Sequence, residues 1–289
     1  MAQILAASTL EILVDGLARG VLFALLGLGI TLVFGLGGVL NLAIGVFAVM
    51  AVLATVTLLG IVNSIVAAII GGLLVILLIA LVVDRTLFSL VYQSEGSERE
   101  LLGIFVTLGL ATFLDGLLYM HFPSGYSIPW RVGAINVGGL VFQSSSLLII
   151  GVGIVLFIAF YAFLERTYLG SATRTVMQDE TGALLCGINP RRIRTLVFLL
   201  SVLIAGIAGM LYSIAYTINV SAEFTLGIYA VLVSVVGGVT NVTGTIAAGL
   251  FLGVLFTFSN AWIGSFVANI IVFLVTVAVL ITKAEVVSA

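Results

Sequence analysis

The chain has 289 residues, of which 62% are hydrophobic and only 8% are charged, and its formal net charge is −2. Its mean hydropathy is +1.39, whereas about a quarter of the residues in a soluble domain are charged. This composition excludes an ordinary soluble domain, and no nucleic-acid partner is expected. We therefore expect a protein embedded in the lipid bilayer of the plasma membrane.

Hydrophobic runs that could cross the bilayer recur along the chain, since a spanning helix needs about 20 apolar residues. Because these runs are continuous and do not alternate with polar residues, they favour helices over a β-barrel. The sequence predicts an all-α integral membrane protein, a polytopic bundle of about eight transmembrane helices in a single domain, residues 1–289. The eight or nine predicted segments, of which the seventh and eighth are short, are residues 17–35, 39–59, 61–83, 101–120, 147–164, 196–216, 226–236, 244–258 and 262–281.

The N-terminal residues precede the first predicted span and lack a basic region, so we expect no cleavable signal peptide. Glu11, Asp15 and Arg19 follow at intervals of four residues. On a helix they share one polar stripe at the entry to the first span. A solvated helix end with local ion pairs explains this stripe.

Two polar interruptions lie 200 positions apart: GGVLNLAIG at residues 37–45 and GGVTNVTG at residues 237–244. An asparagine amide without a partner costs several kcal/mol in an apolar medium, so each asparagine must find a partner. Many transporters contain two related halves whose helices are broken near the binding site. We expect two equivalent helix breaks facing one pathway, although coincidence is the alternative in a chain with 33 glycines. The candidate residues are Gly37, Gly38, Asn41, Gly45, Gly237, Gly238, Asn241 and Gly244.

The repeat halves would cover about residues 17–120 and 147–281, and their relation depends on segment 39–59. If that segment is re-entrant, five crossings separate the motifs, the halves are inverted and the N-terminus is internal. If it fully spans, six crossings separate them, the halves are parallel and the N-terminus is external. The sequence leaves both alternatives open.

The few basic residues indicate which loops are cytoplasmic. Of ten Lys and Arg residues, five fall within residues 165–194, and Arg85 and Arg99 bracket the loop 84–100. Cytoplasmic loops carry an excess of basic residues, so both loops are predicted to be cytoplasmic. The loop at about residues 121–146 is then external.

Chemistry-bearing residues are too few for an intramembrane enzyme. His121 is the only histidine and Cys186 the only cysteine, which excludes an intramolecular disulfide and a Cys-based metal cluster. Asp115, the one carboxylate placed well inside a predicted span, is expected at the level of the lipid headgroups. A transporter driven by an ion gradient usually needs several intramembrane acids. The only lysine, Lys283, cannot serve a P-loop, so any ATP must be hydrolysed by a partner.

A short helix is predicted in the cytoplasmic loop at about residues 165–195. Acidic residues at positions 179 and 180, Gly187 near the end and Pro190 beyond it give start and stop signals in the expected order. A helix of about ten residues, 178–189, is too short and polar to span. We expect it on the cytoplasmic face, where it could sit in a groove of another protein.

Within this region the chain resembles a known family. The succession TYLGSATRTVMQDETGALLCGINPRRIRTLVFLLSVLIAGIAGMLYS, followed by LVSVVGGVTNVTGTIAAGLFLGVLF, is similar to permease subunits of branched-chain amino acid ABC importers of the LivH type. The opening GVLFALLGLGITLVFGLGGVLNLAIGVFAVMA resembles that family too. The resemblance covers about residues 20–258, and its most specific block is 178–209. Two departures are isoleucine at Ile44, where the family commonly has histidine, and the chain's ending, ITKAEVVSA.

The resemblance implies a permease whose cytoplasmic helix couples it to ATP-binding subunits. The expected partners are two ATP-binding subunits, a second permease subunit (a LivM-like partner or a second copy of the chain) and an external solute-binding protein. ATP and Mg would bind to partner subunits, and no cofactor to this chain. The implied coupling residues are Gln178, Asp179, Glu180, Ala183, Leu184 and Gly187, with Asn189 ending the helix. An amphipathic connector resting on lipid headgroups is the alternative.

The implied solutes are branched-chain or related small amino acids. Urea or short amides are the alternative within the family. A passive channel without an ATPase and a regulatory membrane subunit without a conduction path are alternatives outside it. Small residues at close-packing spacing, in contrast, indicate helix packing. They are Gly206, Gly209 and Gly249.

Overall fold

The computed structural model describes residues 2–94, 96–129, 133–137 and 140–288. Parts of the external loop, residues 130–132 and 138–139, lie outside the described residues. A π-helical turn, Asp84–Phe88, follows α3, and β1 (Ile135–Val137) pairs antiparallel with β2 (Leu140–Phe142). The helices are α1 (Ala2–Gly37), α2 (Ile44–Leu59), α3 (Ile65–Val83), α4 (Ser89–Val91), α5 (Gly96–His121), α6 (Ser144–Arg166), α7 (Tyr168–Gln178), α8 (Glu180–Leu185), α9 (Pro190–Ala215), α10 (Ala222–Gly237), α11 (Val242–Ile263) and α12 (Ser265–Ser288).

The predicted all-α polytopic membrane bundle is confirmed. In the described part of the chain, seven helical stretches are long and apolar enough to cross a bilayer, and α2 and α10 are shorter apolar helices. The seven stretches are Thr9–Gly35, Ile65–Val91, Gly96–His121, Ser144–Arg166, Pro190–Ala215, Val242–Ile263 and Ser265–Thr282.

Two predicted boundaries differ from the structure for local reasons. The segment expected from residue 39 becomes helical only at Ile44, because the chain leaves the helical conformation at Gly38, whose φ is 62°, and turns before α2. The eighth segment, expected to be short, is the 22-residue helix α11. It continues through polar Ser259 and Asn260 and ends at Gly264, whose φ of 95° stops an α-helix.

Helix α1 lies at the centre of the bundle and packs closely against α11. A Cβ atom on Gly253 would lie 2.2 Å from Gly20 Cα, and one on Gly249 would lie 2.5 Å from Ala24 Cα. Gly16 meets Val254, whereas Gly35, near the other end of α1, lies beside Thr240, which precedes α11. The two helices are therefore antiparallel, and glycines let their backbones touch.

A buried hydroxyl cluster adds a polar connection at this centre. Thr31 Oγ1 lies 2.8 Å from Ser234 Oγ and 2.9 Å from Thr245 Oγ1. The exposed fraction of each residue is at most 1%. The cluster joins α1 to both α10 and α11 in an otherwise apolar interior.

Contacts between loops and helix ends define the two ends of the bundle. Glu11 Oε1 accepts a hydrogen bond from Val141 N at 2.7 Å, and Asp15 Oδ1 accepts one from Ser146 Oγ at 2.6 Å. Tyr126 N donates to Ile218 O at 2.7 Å. The start of α1, the loop between α5 and α6 and the loop between α9 and α10 therefore lie at one end. By the distribution of basic residues this end is external, and the start of α1 with it.

Helix α2 runs from the cytoplasmic side of the bundle toward the external end. Leu58, near its C-terminus, shares a cavity wall with Leu118 and Phe122, at and just beyond the external end of α5. Helix α2 has 16 residues and measures about 24 Å, less than the roughly 30 Å of a bilayer core. The non-helical residues before it cover the remaining depth. With α2 and α10 counted as crossings, six helices, α2, α3, α5, α6, α9 and α10, cross between the two Gly-Gly motifs, which favours the parallel alternative.

Candidate functional site

The two Gly-Gly motifs end a helix in the same manner. We call residues 37–41 the first break and residues 237–241 the second break. The preceding helices end at Gly37 and Gly237, and the next glycine in each has a positive φ, 62° for Gly38 and 98° for Gly238. Residues with a Cβ atom rarely adopt this conformation, which explains the second glycine of each motif.

The asparagine side chain of each break bonds to the backbone ahead of it: Asn241 caps the start of α11, whereas Asn41 closes a turn just before α2. Asn41 Oδ1 accepts a hydrogen bond from Ala43 N at 3.1 Å, and Asn241 Oδ1 accepts one from Gly244 N at 3.0 Å. Asn241 is exposed, whereas Asn41 is fully buried. Asn41 Nδ2 has no hydrogen-bond partner among the described residues, so this donor is available to a water or ligand.

Glycines also set how closely the chain approaches itself at each break. A Cβ on Gly244 would lie 2.1 Å from Gly237 O, so the second break folds back on itself without space for a side chain. A Cβ on Gly45 would lie 2.0 Å from Glu223 O, which brings α2 against the start of α10. Each predicted break residue therefore lies at a turn, a cap or a close backbone contact.

The cytoplasmic segment contains two helices where the sequence predicted one of about ten residues. Asp179 is extended, and its Oδ1 accepts a hydrogen bond from Thr181 N at 2.9 Å. Asp179 thus caps the six-residue α8, and Gln178, expected in that helix, ends α7 instead. The other end is a glycine cap, in which Ile188 N donates to Ala183 O at 2.9 Å and Gly187 has a φ of 78°.

Asn189 was expected to end the coupling helix, and the structure corrects this. Its Oδ1 accepts a hydrogen bond from Arg192 N at 3.3 Å, so it caps the start of α9. Pro190 occupies the first turn of α9, where its missing N–H costs nothing. Asparagine followed by proline is therefore a helix start here.

Helix α8 has a buried side and an exposed side. Ala183 is fully buried, whereas Leu184 and Leu185 are 58% and 86% exposed. Leu185 was not singled out in the sequence, although two adjacent leucines on a short cytoplasmic helix are a recognisable signal. Ala183 anchors the helix from inside, and the leucines present an apolar surface to the cytoplasm.

Charged and aromatic side chains connect α8 to the first break. Glu180 forms ion pairs with Arg194 and, at 3.9 Å, with Arg99. The Arg194 guanidinium lies 4.7 Å from the ring centroid of Tyr92. Burial raises the pKa of Tyr92 above its usual range, so the phenol is neutral. A Cβ on Gly37 would lie 2.8 Å from Tyr92 Cε1, which completes a continuous path of contacts from α8 to the first break.

Helix α7 adds a second path between the cytoplasmic segment and the breaks. A Cβ on Gly35 would lie 2.5 Å from Met177 Cε and 3.9 Å from Thr240 Cα. Gly35 precedes the first break, and Thr240 belongs to the second. Helix α7 therefore lies against the end of α1, which itself lies beside the second break.

An outer cavity of about 410 Å³ lies between the start of α2, α5, α10 and α12. Its wall is mostly apolar, but it includes Glu223, which the sequence analysis did not single out. Asp115 is half-buried, and its Oδ1 is buried without a partner in the described part of the chain. In the sequence, Glu223 is a charged residue directly before a short apolar run, and this pattern could have identified it as a candidate site residue. Apolar side chains of the wall include Leu42, Leu108, Ala111, Val231 and Phe273.

Comparison with known proteins adds relatives over nearly the whole chain. The model of the family described as branched-chain amino acid transport system, permease component, matches residues 12–281. The chain is 26% identical to the high-affinity branched-chain amino acid transport system permease protein LivH of Salmonella typhimurium, over 94% of this chain and 92% of that protein. It is 25% identical to LivH of Escherichia coli (strain K12), over 94% of this chain and 92% of that protein. It is 26% identical to the high-affinity branched-chain amino acid transport system permease protein BraD of Pseudomonas aeruginosa, over 95% of this chain and 94% of that protein. No solved structure matches the chain.

Proposed function

Because the chain belongs to the branched-chain amino acid transport system permease family, we propose that it is the membrane-spanning subunit of an importer driven by ATP. It is a multi-pass protein of the plasma membrane, and its family is one of transport permeases. We assign it the solute class for which its relatives are named, the branched-chain amino acids. Urea or short amides would occupy the same path if the solute differs.

The energy for this transport would come from partner subunits. The only lysine of the chain is Lys283, so the chain has no P-loop lysine. Two ATP-binding subunits would bind ATP and Mg, and an external solute-binding protein would deliver the solute. A second permease subunit, either a LivM-like partner or another copy, would complete the path.

The observation that carries the proposal is the continuous contact from the exposed leucines of α8 to the first break. An ATP-binding subunit that holds Leu184 and Leu185 would move α8 as it closes. Arg194 is 7% exposed and is held by both Glu180 and Tyr92, so movement of α8 displaces Tyr92 at Gly37. Helix shifts and hinge movements are known means of switching between two conformations.

The outer cavity fits the solute class in shape and charge. Its apolar wall would accept a branched aliphatic side chain, and the Glu223 carboxylate would attract the ammonium group of an amino acid. Phe224 and Phe273, which are 66% and 43% exposed, stand at its wall. A second permease subunit packed on these rings would close the cavity.

The proposal is tested by reversing the charge of Glu180. Glu180→Arg places a third cation beside Arg194 and Arg99, so we expect solute uptake in cells to fall at least about tenfold. The double variant Glu180→Arg, Arg194→Glu should recover part of the uptake. Glu165→Arg is the matched control, because Glu165 pairs with Arg174 at 2.5 Å on the same cytoplasmic side but lies outside the path to the break. The control should keep uptake within about twofold.

Co-purification supplies the second measurement. Tagged protein extracted from its native membrane should bring down an ATP-binding subunit, and Leu184→Asp with Leu185→Asp should weaken that association. The importer proposal fails if no ATP-binding subunit is recovered and Glu180→Arg leaves uptake intact. Uptake that persists without ATP hydrolysis would identify a passive channel instead.

A further inference from the structure

A second cavity lies at the cytoplasmic end of the bundle, between the π-helical turn and the start of α9. Its volume is about 440 Å³, and it is lined by Arg85, Asn189, Arg191, Arg192 and Thr195. We call it the basic cavity. All three of its arginines are exposed, and none of its lining residues is acidic. A volume of this size holds a group as large as a phosphate with its ester substituents.

The charges around the basic cavity do not balance. Within the described residues, none of its three arginines forms an ion pair within 4.0 Å; the pairs found involve Arg99, Arg174 and Arg194. The nearby acid is Asp84, which interacts electrostatically with Arg85 and Arg191. Asp84 is buried, and its Oδ2 accepts a hydrogen bond from Thr195 Oγ1 at 2.6 Å. One carboxylate against three guanidinium groups leaves an excess of two positive charges.

The start of α9 adds to this positive potential. Arg191 and Arg192 lie in the first turn of this 26-residue helix, and that turn has no acidic residue. The N-terminus of a helix carries a partial positive charge, which favours anions and disfavours cations. Two arginines at this position repel the partial positive charge of the helix N-terminus. An anion bound between them would be attracted by both the arginines and the helix N-terminus.

The position of the basic cavity in the membrane selects the kind of anion. Arg85 follows Val82 by three residues and Leu78 by seven, so all three lie on one helix face. Val82 and Leu78 are 62% and 65% exposed on a membrane-spanning helix, where they face lipid. Arg85 stands beyond these two residues, toward the cytoplasmic end of the same membrane-spanning stretch. A phospholipid can therefore reach the cavity sideways from the bilayer.

We propose that the basic cavity binds the phosphate group of an anionic phospholipid of the cytoplasmic leaflet, with its acyl chains along Leu78 and Val82. Arginines between helices at the cytoplasmic surface suit such headgroups, since their planar groups bind phosphate oxygens in pairs. Asn189 and Arg191 also line the neighbouring cavity that contains Glu180 and Leu184. The bound headgroup would thus lie beside α8. The site requires no ATP-binding subunit, so it is independent of the transport proposal.

Lipid binding to the purified full-length chain tests the proposal. Native mass spectrometry would compare phosphatidylglycerol with phosphatidylcholine, and we expect at least about a tenfold preference for phosphatidylglycerol. The triple variant Arg85→Gln, Arg191→Gln, Arg192→Gln should lose the preference. Arg191→Gln alone should reduce it, whereas its control Arg166→Gln should not, because Arg166 is a cytoplasmic arginine outside the cavity. Replacement of the three arginines by lysine should retain part of it.

Several outcomes would overturn the proposal. An unchanged preference in the triple variant, or an equal loss in Arg166→Gln, would show diffuse surface charge. Binding of inorganic phosphate or glycerol 3-phosphate as strong as that of the lipid would show a site for a soluble anion. Hydrogen exchange of the wild-type chain avoids any effect of mutation on folding. Amides of residues 191–195 should exchange more slowly in phosphatidylglycerol nanodiscs than in phosphatidylcholine nanodiscs, and equal rates contradict the site.

Discussion

Glu223 is a carboxylate on the wall of an apolar cavity, and it forms no ion pair with any described side chain. An ionisable group within a membrane bundle is costly, and such groups usually serve a solute or ion path. Asn41 is also incompletely bonded, because its Nδ2 is buried without a hydrogen-bond partner among the described residues. Leu42, which follows Asn41, lines the outer cavity together with Glu223. Polar groups with incomplete bonding therefore lie on or next to the wall of this cavity.

Glu223→Gln removes the charge and keeps the shape of the side chain. If Glu223 attracts the ammonium group of the solute, maximal uptake should fall about tenfold. The concentration for half-maximal uptake should change little, because the solute-binding protein would set it. Glu98→Gln is the control, since Glu98 is an exposed acid in the first turn of α5, on the cytoplasmic side. Unchanged maximal uptake in Glu223→Gln would remove this residue from the path.

The roles of the two break asparagines could be anticipated, whereas Glu223 was missed. Asparagine between paired glycines and a new apolar run is typical of a helix start. Asn241 caps α11, and Asn41 closes the turn just before α2. Glu223 precedes the predicted seventh segment, which was placed from residue 226. The structure begins α10 four residues earlier, at Ala222, so the acid lies inside the bundle. The depth of a charge near a helix end depends on packing with α2, which no local pattern encodes.

At the level of elements, α8 shows where sequence patterns are ambiguous. Asp179 and Asn189 are both residues that favour the start of a helix, and each caps a different helix. Because both were interpreted as the two ends of one helix, the predicted helix had about ten residues, whereas α8 has six. Helix existence was predictable, but the boundaries depend on which backbone amides each side chain meets.

The packing of α9 against α2 and α3 depends on glycine to different degrees. A Cβ on Gly209 would lie 2.2 Å from Ala48 O, which is backbone, whereas one on Gly206 would lie 2.4 Å from the flexible end of Ile76. Gly209→Ala should therefore separate α2 from α9 and cost about 2 kcal/mol or more. Gly206→Ala should cost less, because Ile76 can rotate and alanine favours the helix.

Thermal unfolding of the detergent-solubilised protein checks this difference. We expect the Tm of Gly209→Ala to fall by roughly 5 °C, and that of Gly206→Ala to change by less than half as much. Gly116→Ala on α5 is the control, since a Cβ there meets no atom within 4 Å. Equal effects at Gly206 and Gly209 would contradict a backbone contact at Gly209.

For the whole molecule, the number of crossings determines how the two breaks are oriented. The contacts favour six crossing helices between them, so that both breaks follow a helix that descends from the external side. Sequence could not decide this, because segment 39–59 is apolar enough either to cross or to re-enter. The orientation depends on distant parts of the chain, such as Leu58 and Phe122, which line one cavity, and Glu11, which bonds to Val141. Whether the two halves arose by duplication stays a prediction.

Cysteine labelling of intact cells measures the crossings directly. Cys186 is exposed on the cytoplasmic segment, so a membrane-impermeant maleimide should label it only after permeabilisation. In a Cys186→Ser background, Asn63→Cys in the turn after α2 and Ser124→Cys in the loop after α5 should both be labelled from outside. Ser124→Cys also serves as the positive control for external access. Labelling of Asn63→Cys only after permeabilisation would mean that α2 does not cross and that the breaks are inverted.

The hydroxyl cluster of Thr31, Ser234 and Thr245 limits the motion available to the second break. It fixes α10 and α11, the two arms of that break, to the same point on α1. Sliding of either arm along α1 would break a hydrogen bond in a buried, otherwise apolar interior. The cluster therefore favours a change in the angle between the arms over lengthwise slip of either one. Opening and closing of the path would then return the helices to the same register in every cycle.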